Sequence, residues 1–398
     1  MKSQNIFVSK ILKDYDLCEY CTGRLISKIV KKPQSKFLGK KFLTKFDQPS
    51  DKKCYICKNL FGTLDHMIRN ILEKTSDFDF KTFHLGVTLK PSFLERDDFI
   101  KSKFKIKGIE NLKFSIAKEL TKKISKRTNT KRVFDDPDLF INTNFKNESC
   151  SIRSKHIFVY GRYNKKIRNL TQKQELCQSC NGIGCHNCEF KGIENIQSIE
   201  GIISNFLINK FDCKQVKINW IGGEDQSSLV LGNGRPFFAK LLNPKKRNKI
   251  LRKTFDLKDI SLSELQKLTV QPKGSVPFRS EISITVETEK PIFLTQLKKL
   301  KVLENSIIKD LSRDKKNSQK RIYKIGYTKI GKTRFILDLF ADGGIPIKSF
   351  IQNSDLTPNV SDLIQNSCKC IKFDFKNILV KLQKMAFMVI YLIEFFLE

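Results

Sequence analysis

The chain has 398 residues, with 75 Lys and Arg against 41 Asp and Glu, a net charge of +34. Its 40% hydrophobic and 29% charged composition is that of a folded protein and excludes disorder along its whole length, and the length suits two to four domains. The positive excess points to a polyanionic partner, nucleic acid before an anionic membrane, with a lysine-rich compositional bias as the bland alternative. Met1–Asp16 lacks the apolar core of a signal sequence. The most hydrophobic run, Ala386–Leu397, is too short to span a bilayer. A cytoplasmic protein without a membrane partner is expected, with that run as a buried or interfacial helix in an apolar tail, 376–398.

Residues 1–60 open on a short helix and carry Cys18/Cys21 and Cys54/Cys57. Each CxxC offers two thiolates from one tight turn, and two such turns complete a tetrahedral site, so structural zinc is expected in a small N-terminal module. Residues 61–170 read as a small α/β domain. Phe83, Leu85, Val87 and Leu89 keep a strand period, and Leu112, Ile116, Leu120 and Ile124 a helical one. A strand at Leu139–Ile141 and another at Ser151–Tyr160 follow. The latter runs into Tyr160-Gly161-Arg162-Tyr163-Asn164-Lys165-Lys166, a mixture of aromatics and cations suited to unpaired RNA, which makes Arg162 and Lys165 candidate RNA-binding residues. The connector 171–195 holds Cys177, Cys180, Cys185 and Cys188 within twelve residues, a second candidate zinc site. His186 is either a substitute ligand or solvent-facing. The remaining cysteines, Cys150, Cys213, Cys368 and Cys370, read as buried small apolar residues.

Residues 196–375 form the largest expected domain, α+β with a mostly antiparallel sheet. An amphipathic helix around Ile199–Leu207 precedes a strand, Val216–Trp220, that runs into Gly222-Gly223-Glu224-Asp225. A second turn, Gly232-Asn233-Gly234, delivers Arg235-Pro236-Phe237. Two adjacent carboxylates with an arginine one hairpin away suit an active site, and a plain surface loop reads equally well. A strand at Glu281–Glu287, a leucine-rich helix from Phe293, the polar run Lys315–Lys320 and a hairpin pairing Ile322–Lys329 with Thr333–Phe340 complete the domain. Neither a Walker-type loop nor a dinucleotide fingerprint is present.

Several stretches resemble one family in the same order: the two N-terminal CxxC pairs, Leu94–Asp98, Asp136-Pro137-Asp138, Tyr160–Tyr163, the CQSCNGIGCHNC knuckle, Gly222–Phe237, Val286–Pro291, Gly343–Ile351 and Thr357–Leu363. The chain resembles the archaeal and eukaryotic-type tRNA pseudouridine(54/55) synthases with an N-terminal zinc and THUMP-like RNA-binding region. The resemblance implies a THUMP-like α/β domain followed by a synthase domain. It also implies isomerisation of a T-loop uridine at position 55, 54 or both, tRNA as partner, and no organic cofactor. It places the catalytic aspartate on Asp225, leaves Glu224 in support, and assigns Arg235 to a backbone phosphate or to ordering the loop. Lys348 is retained as a candidate substrate-binding residue. The chain departs from the family pattern in having Gly223 for an arginine, Ile282 for a base-stacking tyrosine and Pro346 for a second tyrosine. Ile282 and Pro346 are still the candidate substrate contacts at those places. A noncatalytic tRNA-binding protein or RNA chaperone retaining the fold is the alternative that these departures keep open.

Overall fold

The structure is a computed structural model and describes residues 2–380 apart from 49–51, 191, 194–196, 250, 252–253, 273, 311–318 and 353–354. The expected helix at Ala386–Leu397 and most of the polar run at 315–320 lie outside the described residues. Among the described residues no helix is long and apolar enough to cross a membrane.

The chain divides into two compact units. The first comprises 1–155 with 245–247, and the second 156–244 with 248–398. In order, the first contains α1 (Lys2–Asp14), α2 (Glu19–Ile29), α3 (Lys36–Lys45), α4 (Leu64–Thr75), β1 (Thr82–Thr88), α5 (Pro91–Lys103), α6 (Leu112–Thr128), β2 (Lys131–Arg132), β3 (Leu139–Asn144) and β4 (Ser149–Ser154). The sheet order is β2-β1-β3-β4, with β1 parallel to both neighbours and β4 antiparallel to β3. On α6, Asn111 caps the start by accepting from Phe114 N at 2.7 Å, and Leu112, Ile116, Leu120 and Ile124 form a fully buried stripe. Each such side chain contributes about 1.5–3 kcal/mol of apolar burial. The Asp136-Pro137-Asp138 turn works through its second aspartate, whose carboxylate accepts Lys81 N and Thr82 N at 2.9 and 3.1 Å.

One core runs through this unit, from Val8, Cys21 and Cys57 to Leu85, Ile141 and Cys150. The cysteine-bearing segment expected as a separate module of residues 1–60 therefore shares its interior with the α/β part. Four helices (α2, α3, α4 and α5) went unread in the sequence. On α5, Asp97 is buried against Arg24 of α2, with a guanidinium bond to Asp97 Oδ2 at 3.1 Å, a second to Oδ1, and Arg24 also donating to Glu110 O at 3.0 Å. Lys101 adds a contact to Asp97 Oδ2 at 2.6 Å.

The second unit contains β5 (Ile157–Lys165), α7 (Ile199–Phe211), β6 (Gln215–Trp220), β7 (Val230–Leu242), β8 (Thr254–Asp256), β9 (Ile260–Leu268), β10 (Phe278–Thr288), α8 (Leu294–Lys298), β11 (Ile307–Asp310), β12 (Gln319–Lys329), β13 (Arg334–Asp342), α9 (Ile347–Gln352), β14 (Leu356–Thr357), α10 (Val360–Ile364) and β15 (Cys368–Val380). Its eleven strands form one sheet in the order β14-β11-β12-β13-β10-β15-β7-β5-β9-β8, with β6 on β7. All its pairings are antiparallel except β15 with β7.

Several expectations change here. The single strand at Ser151–Tyr160 is two strands in two sheets: burial falls on Cys150 and Ser154 and then on Ile157 and Val159, and that change of parity turns the chain over. The break between units accordingly lies at 155/156 and not at 170, because β5 is an interior strand of the large sheet. The helix from Phe293 is a five-residue α8 followed by a 3-10 turn at Lys299–Leu303. The segment 376–380 of the expected apolar tail is the end of β15, paired to β10.

Removing Asp97 leaves the Arg24 guanidinium as a buried uncompensated charge, a loss of about 3–5 kcal/mol, whereas removing Arg24 leaves Asp97 still paired with Lys101 and costs less. Asp97→Ala is expected to lower the stability of the first unit by that order and Arg24→Ala by less, read as shifts in its urea transition in the full chain.

Candidate active site and cysteine clusters

The loop 221–229 lies at a fork in the sheet. On one edge of β7, β5 pairs along the whole length, from Val230 to Leu241. The other edge is shared: β6 takes Phe237–Leu242, and β15 meets β7 at Val230 through Phe375. Gly232 and Gly234 make this crowding possible. They have φ of +53° and +71°, and a Cβ on them would lie 2.0 Å from Lys376 O and 2.6 Å from Tyr163 O.

Beneath the loop lies a buried charge cluster. Glu224, Lys165 and Arg235 have side chains with no exposed surface. Glu224 Oε2 accepts from Tyr163 Oη at 2.9 Å and from Arg235 Nε at 3.3 Å, and Lys165 Nζ lies 3.5 Å from Oε1. Gln172 Nε2 donates to Tyr163 Oη at 3.0 Å and to Gly222 O at 3.3 Å. Arg235 also donates to Ile221 O at 3.1 Å and lies 4.4 Å over the Phe375 ring. Lys165 Nζ donates to Leu170 O, Asp225 O and Gln226 O at 2.9, 3.2 and 2.9 Å. Burial holds the Lys165 ammonium below its ordinary value against the pull of Glu224. Burial and then the Glu224 charge push Tyr163 well above its ordinary value, so it stays a hydrogen-bond donor.

Asp225 is the carboxylate that reaches solvent, with 26% of its side chain exposed. Oδ1 accepts from Ser227 N at 3.0 Å and Ser227 Oγ at 2.6 Å, and Oδ2 pairs with Lys348 Nζ at 2.7 Å. Partial burial raises its pKa, but the Lys348 and Ser227 hydrogen bonds and the Lys348 charge outweigh it and hold Asp225 at about 2. Its contribution to stability is therefore complete above the ordinary carboxylate value of about 4 and fades as pH falls through about 2. Downstream, Arg168 clamps Asp374 through two bonds of 2.7 and 2.8 Å and donates to Ser227 O at 2.6 Å, while Asp374 accepts from Leu229 N at 2.9 Å.

The structure thus brings Asp225, Lys348, Lys165 and Arg235 together and reassigns several of them. Arg162 and Lys165 are buried, and their donors are spent on protein oxygens: Arg162 on Gly234 O at 2.9 Å, Ile378 O at 3.0 Å and Glu264 at 3.1 Å. Neither presents a cation to RNA. Arg235, also buried, orders the loop and does not face a phosphate. Ile282 is 4% exposed, between Phe375 and Leu339 in the core, and has no open face for a base. Pro346 is half-buried and its carbonyl accepts Phe350 N at 2.9 Å, so it sets the first turn of α9, which carries Lys348. Gly223 faces open space, its nearest neighbour to a Cβ being Gln172 Oε1 at 3.8 Å. The sequence reading missed Ser227, Gln172, Arg168 and Asp374. Only Ser227, two residues after an aspartate in a turn, left a local signal.

Both cysteine quartets are assembled. In each, the four sulfurs lie within 4.8 Å of one another. Cys18 and Cys57 Sγ are 3.6 Å apart, and Cys177–Cys185 and Cys180–Cys188 are 3.9 and 3.8 Å apart. A tetrahedron of thiolates about 2.3 Å from one ion has such edges. Backbone N–H groups of Gly184 and Gly192 point at Cys180 and Cys188 Sγ at 3.2 Å, as thiolate ligands require. His186 stands outside the quartet, exposed with its ring against Phe190. The other four cysteines are buried, as expected.

Residues 158–378 match the family described as Pus10, C-terminal, and residues 67–144 match the Pus10 THUMP domain, archaeal. The tRNA pseudouridine synthase Pus10 of Nitrosopumilus maritimus (strain SCM1) is 42% identical over 375 residues, covering 94% of this chain and 97% of its own. The chain belongs to the Pus10 family. A second Pus10 tRNA pseudouridine synthase, of Cenarchaeum symbiosum (strain A), is 31% identical across 93% of this chain and 91% of its own. Among solved structures, an archaeal box H/ACA sRNP Nop10-Cbf5 complex overlaps 54% of this chain and 47% of its own, at 8% identity and a TM-score of 0.27. The α+β architecture, the THUMP domain and the membership in a pseudouridine synthase family all agree with the reading of the sequence.

Glu224→Ala strands two buried cations beside each other and is expected to cost about 3–5 kcal/mol of stability in denaturant titration. Asp225→Asn breaks only a half-exposed pair and is expected to change stability by less than about 1 kcal/mol.

Proposed function

We propose that the protein isomerises uridine to pseudouridine in the T-loop of tRNA, at position 55, 54 or both, with Asp225 as the catalytic residue. The observation carrying this reading is the contrast between two adjacent carboxylates. Glu224 is sealed beneath the loop, and Asp225 stands ionised at the surface with Lys348 on one oxygen and Ser227 on the other. Among the two, only Asp225 can meet a ribose. Its carboxylate attacks C1′, or assists the route through ribose deprotonation, while the N1–C1′ bond breaks. The uracil turns and rejoins C1′ through C5, and the proton on C5 then moves to leave the isomer with no change in composition. The target base must first leave its stack, at a cost of a few kcal/mol. Lys348 neutralises Asp225 before substrate arrives, and the Lys165 bonds to the Asp225 and Gln226 carbonyls fix the backbone from which it projects.

Asp225→Asn and Asp225→Ala are expected to bind tRNA with nearly unchanged affinity and to form no pseudouridine, measured by carbodiimide or mass-spectrometric assay on a T-loop transcript. Full activity in the Asn variant sinks the assignment. The acid limb due to Asp225 in the wild type lies near pH 2, below the working range. Lys348→Met removes the principal group holding it down, so the residual rate is expected to show an acid limb displaced upward in a pH–rate profile.

We further propose zinc as the ion of both quartets, held by Cys18, Cys21, Cys54 and Cys57 and by Cys177, Cys180, Cys185 and Cys188. Bound there it supplies folding energy alone, since four thiolates leave no open position for chemistry. Elemental analysis is expected to give two zinc ions per chain, and Cys21→Ser with Cys57→Ser to remove one of them and lower the stability of the first unit. Full metal content in that double variant excludes the first quartet.

A further inference from the structure

Helix α7 is apolar on more than one side. Ile199, Ile203, Leu207 and Phe211 form a stripe with no exposed surface, sealed in the core of the second unit. Ile202 and Phe206 belong to a neighbouring stripe and are only half-buried. A helix with apolar side chains on several sides is ordinarily covered on all of them. Here the second stripe, with the exposed Asn205 and Asn209 beside it, lines a cavity of about 840 Å³. Such a volume lies in the range of roughly 300–1,000 Å³ that small-molecule sites occupy. We propose that this cavity binds a single nucleoside, either as a free molecule or as an unstacked residue of RNA. The inference goes beyond the catalytic reading, and the binding it describes does not depend on that reading.

The lining selects this class of ligand. Ile202, Phe206 and Leu170 offer an apolar surface to a planar ring, and Phe206 packs on Phe255 with centroids 4.8 Å apart, which fixes its place. Around them stand the carboxamides of Asn169, Asn205 and Asn209. Asn209 Nδ2 donates to Asn205 Oδ1 at 3.3 Å, which leaves the other two polar atoms of that pair open, and the Asn169 side chain has no partner among the described residues. Groups that both donate and accept are what the edge of a base pairs with, and an aromatic ring beside them suits its face. The charged lining groups are Asp259 and Lys210, whose ammonium lies 4.8 Å over the Phe255 ring. A carboxylate accepts from ribose hydroxyls, and an ammonium meets a 5′-phosphate where the nucleoside carries one. One charge of each sign leaves the lining without a net charge, so a bare anion gains little there and binding comes from the ring and the amides. The site also adjoins the Asp225 loop. Asn169 N donates to Gln226 O at 2.8 Å, and Lys165 Nζ bonds Leu170 O together with Asp225 O and Gln226 O.

The test is calorimetric titration of the full-length protein with uridine, adenosine and their 5′-monophosphates. The wild type is expected to bind at least one of them at millimolar concentration or below. Asn205→Trp fills the cavity from an exposed helix position and is expected to abolish that binding with an unchanged melting temperature. Asn205→Ala with Asn209→Ala removes two amides and is expected to weaken it by roughly tenfold. Asp225→Asn, which does not line the cavity, is expected to bind as the wild type does. Competition by a T-loop transcript in the wild type marks a residue of RNA as the natural occupant, and its absence marks a free nucleoside. No binding of any of the probes, equal binding of ribose or inorganic phosphate, or binding that survives in Asn205→Trp overturns the proposal. Calorimetry reads this site whether or not the protein forms pseudouridine, so failure of the catalytic reading leaves it standing.

Discussion

Taking Lys165, Glu224 and Arg235 out of water at one point of the sheet carries a desolvation cost that close mutual pairing and backbone hydrogen bonds offset, although Glu224 Oε1 and Arg235 Nη2 keep no hydrogen-bond partner among the described residues. Two cations against one carboxylate leave a positive excess, and the structure balances it with backbone oxygens. Ile221, Leu170, Asp225 and Gln226 turn their carbonyls toward the guanidinium and the ammonium. These carbonyls belong to the loop and to the segment after β5. The charge cluster therefore cannot be satisfied unless the loop adopts this path, and the loop has this path because the cluster needs it. The site's geometry is a consequence of solvation inside the core more than of any preference of the loop itself.

The fork at β7 explains why such a cluster fits there. Where β6 and β15 part along the same edge, no strand fills the gap, and side chains from β5 (Tyr163, Lys165), β7 (Arg235) and β15 (Phe375) converge in it. Two clamps then hold the loop at its ends. Gln172 ties Gly222 to Tyr163 on the upstream side, and the Arg168–Asp374 pair fixes Ser227 and Leu229 on the downstream side. Between them Asp225 projects outward with its carboxylate oriented by Ser227. A rigid support beneath a single exposed ionised group is what positioning of a reacting group requires.

Much of this was legible in the chain. The CxxC spacings, the alternation around β1, the i, i+4 stripes of α6 and α7 and the carboxylate-bearing turn after Trp220 all state local physics, and local physics survives folding. What failed has a common cause. Arg162 and Lys165 look like RNA contacts because cations beside aromatics suit that role, but burial is decided by strands far away: Lys165 meets residues sixty positions on. Arg168 and Asp374 are separated by 206 residues, and no window joins them. The strand break at 155/156 was readable from the parity change in the apolar residues, whereas the charged α5 hides its buried Asp97 because the partner lies on α2.

The departures at Gly223 and Ile282 bear on how Asp225 would act under the proposed function. A carboxylate held at about 2 is a poor base at neutral pH, because little driving force remains for it to take a proton from carbon. The same depression keeps it anionic, which is what attack on C1′ or stabilisation of positive charge developing on the ribose needs. Lys348 alone produces most of this effect beyond the Ser227 bonds. An arginine in place of Gly223 would push the balance further in the same direction, and the open space around Gly223 leaves it free of any other duty. With Ile282 sealed in the core, any stacking on a base under the proposed reading would have to come from another residue. On the proposed function, the electrostatics of the site favours a nucleophilic or charge-stabilising role for Asp225 over a proton-abstracting one.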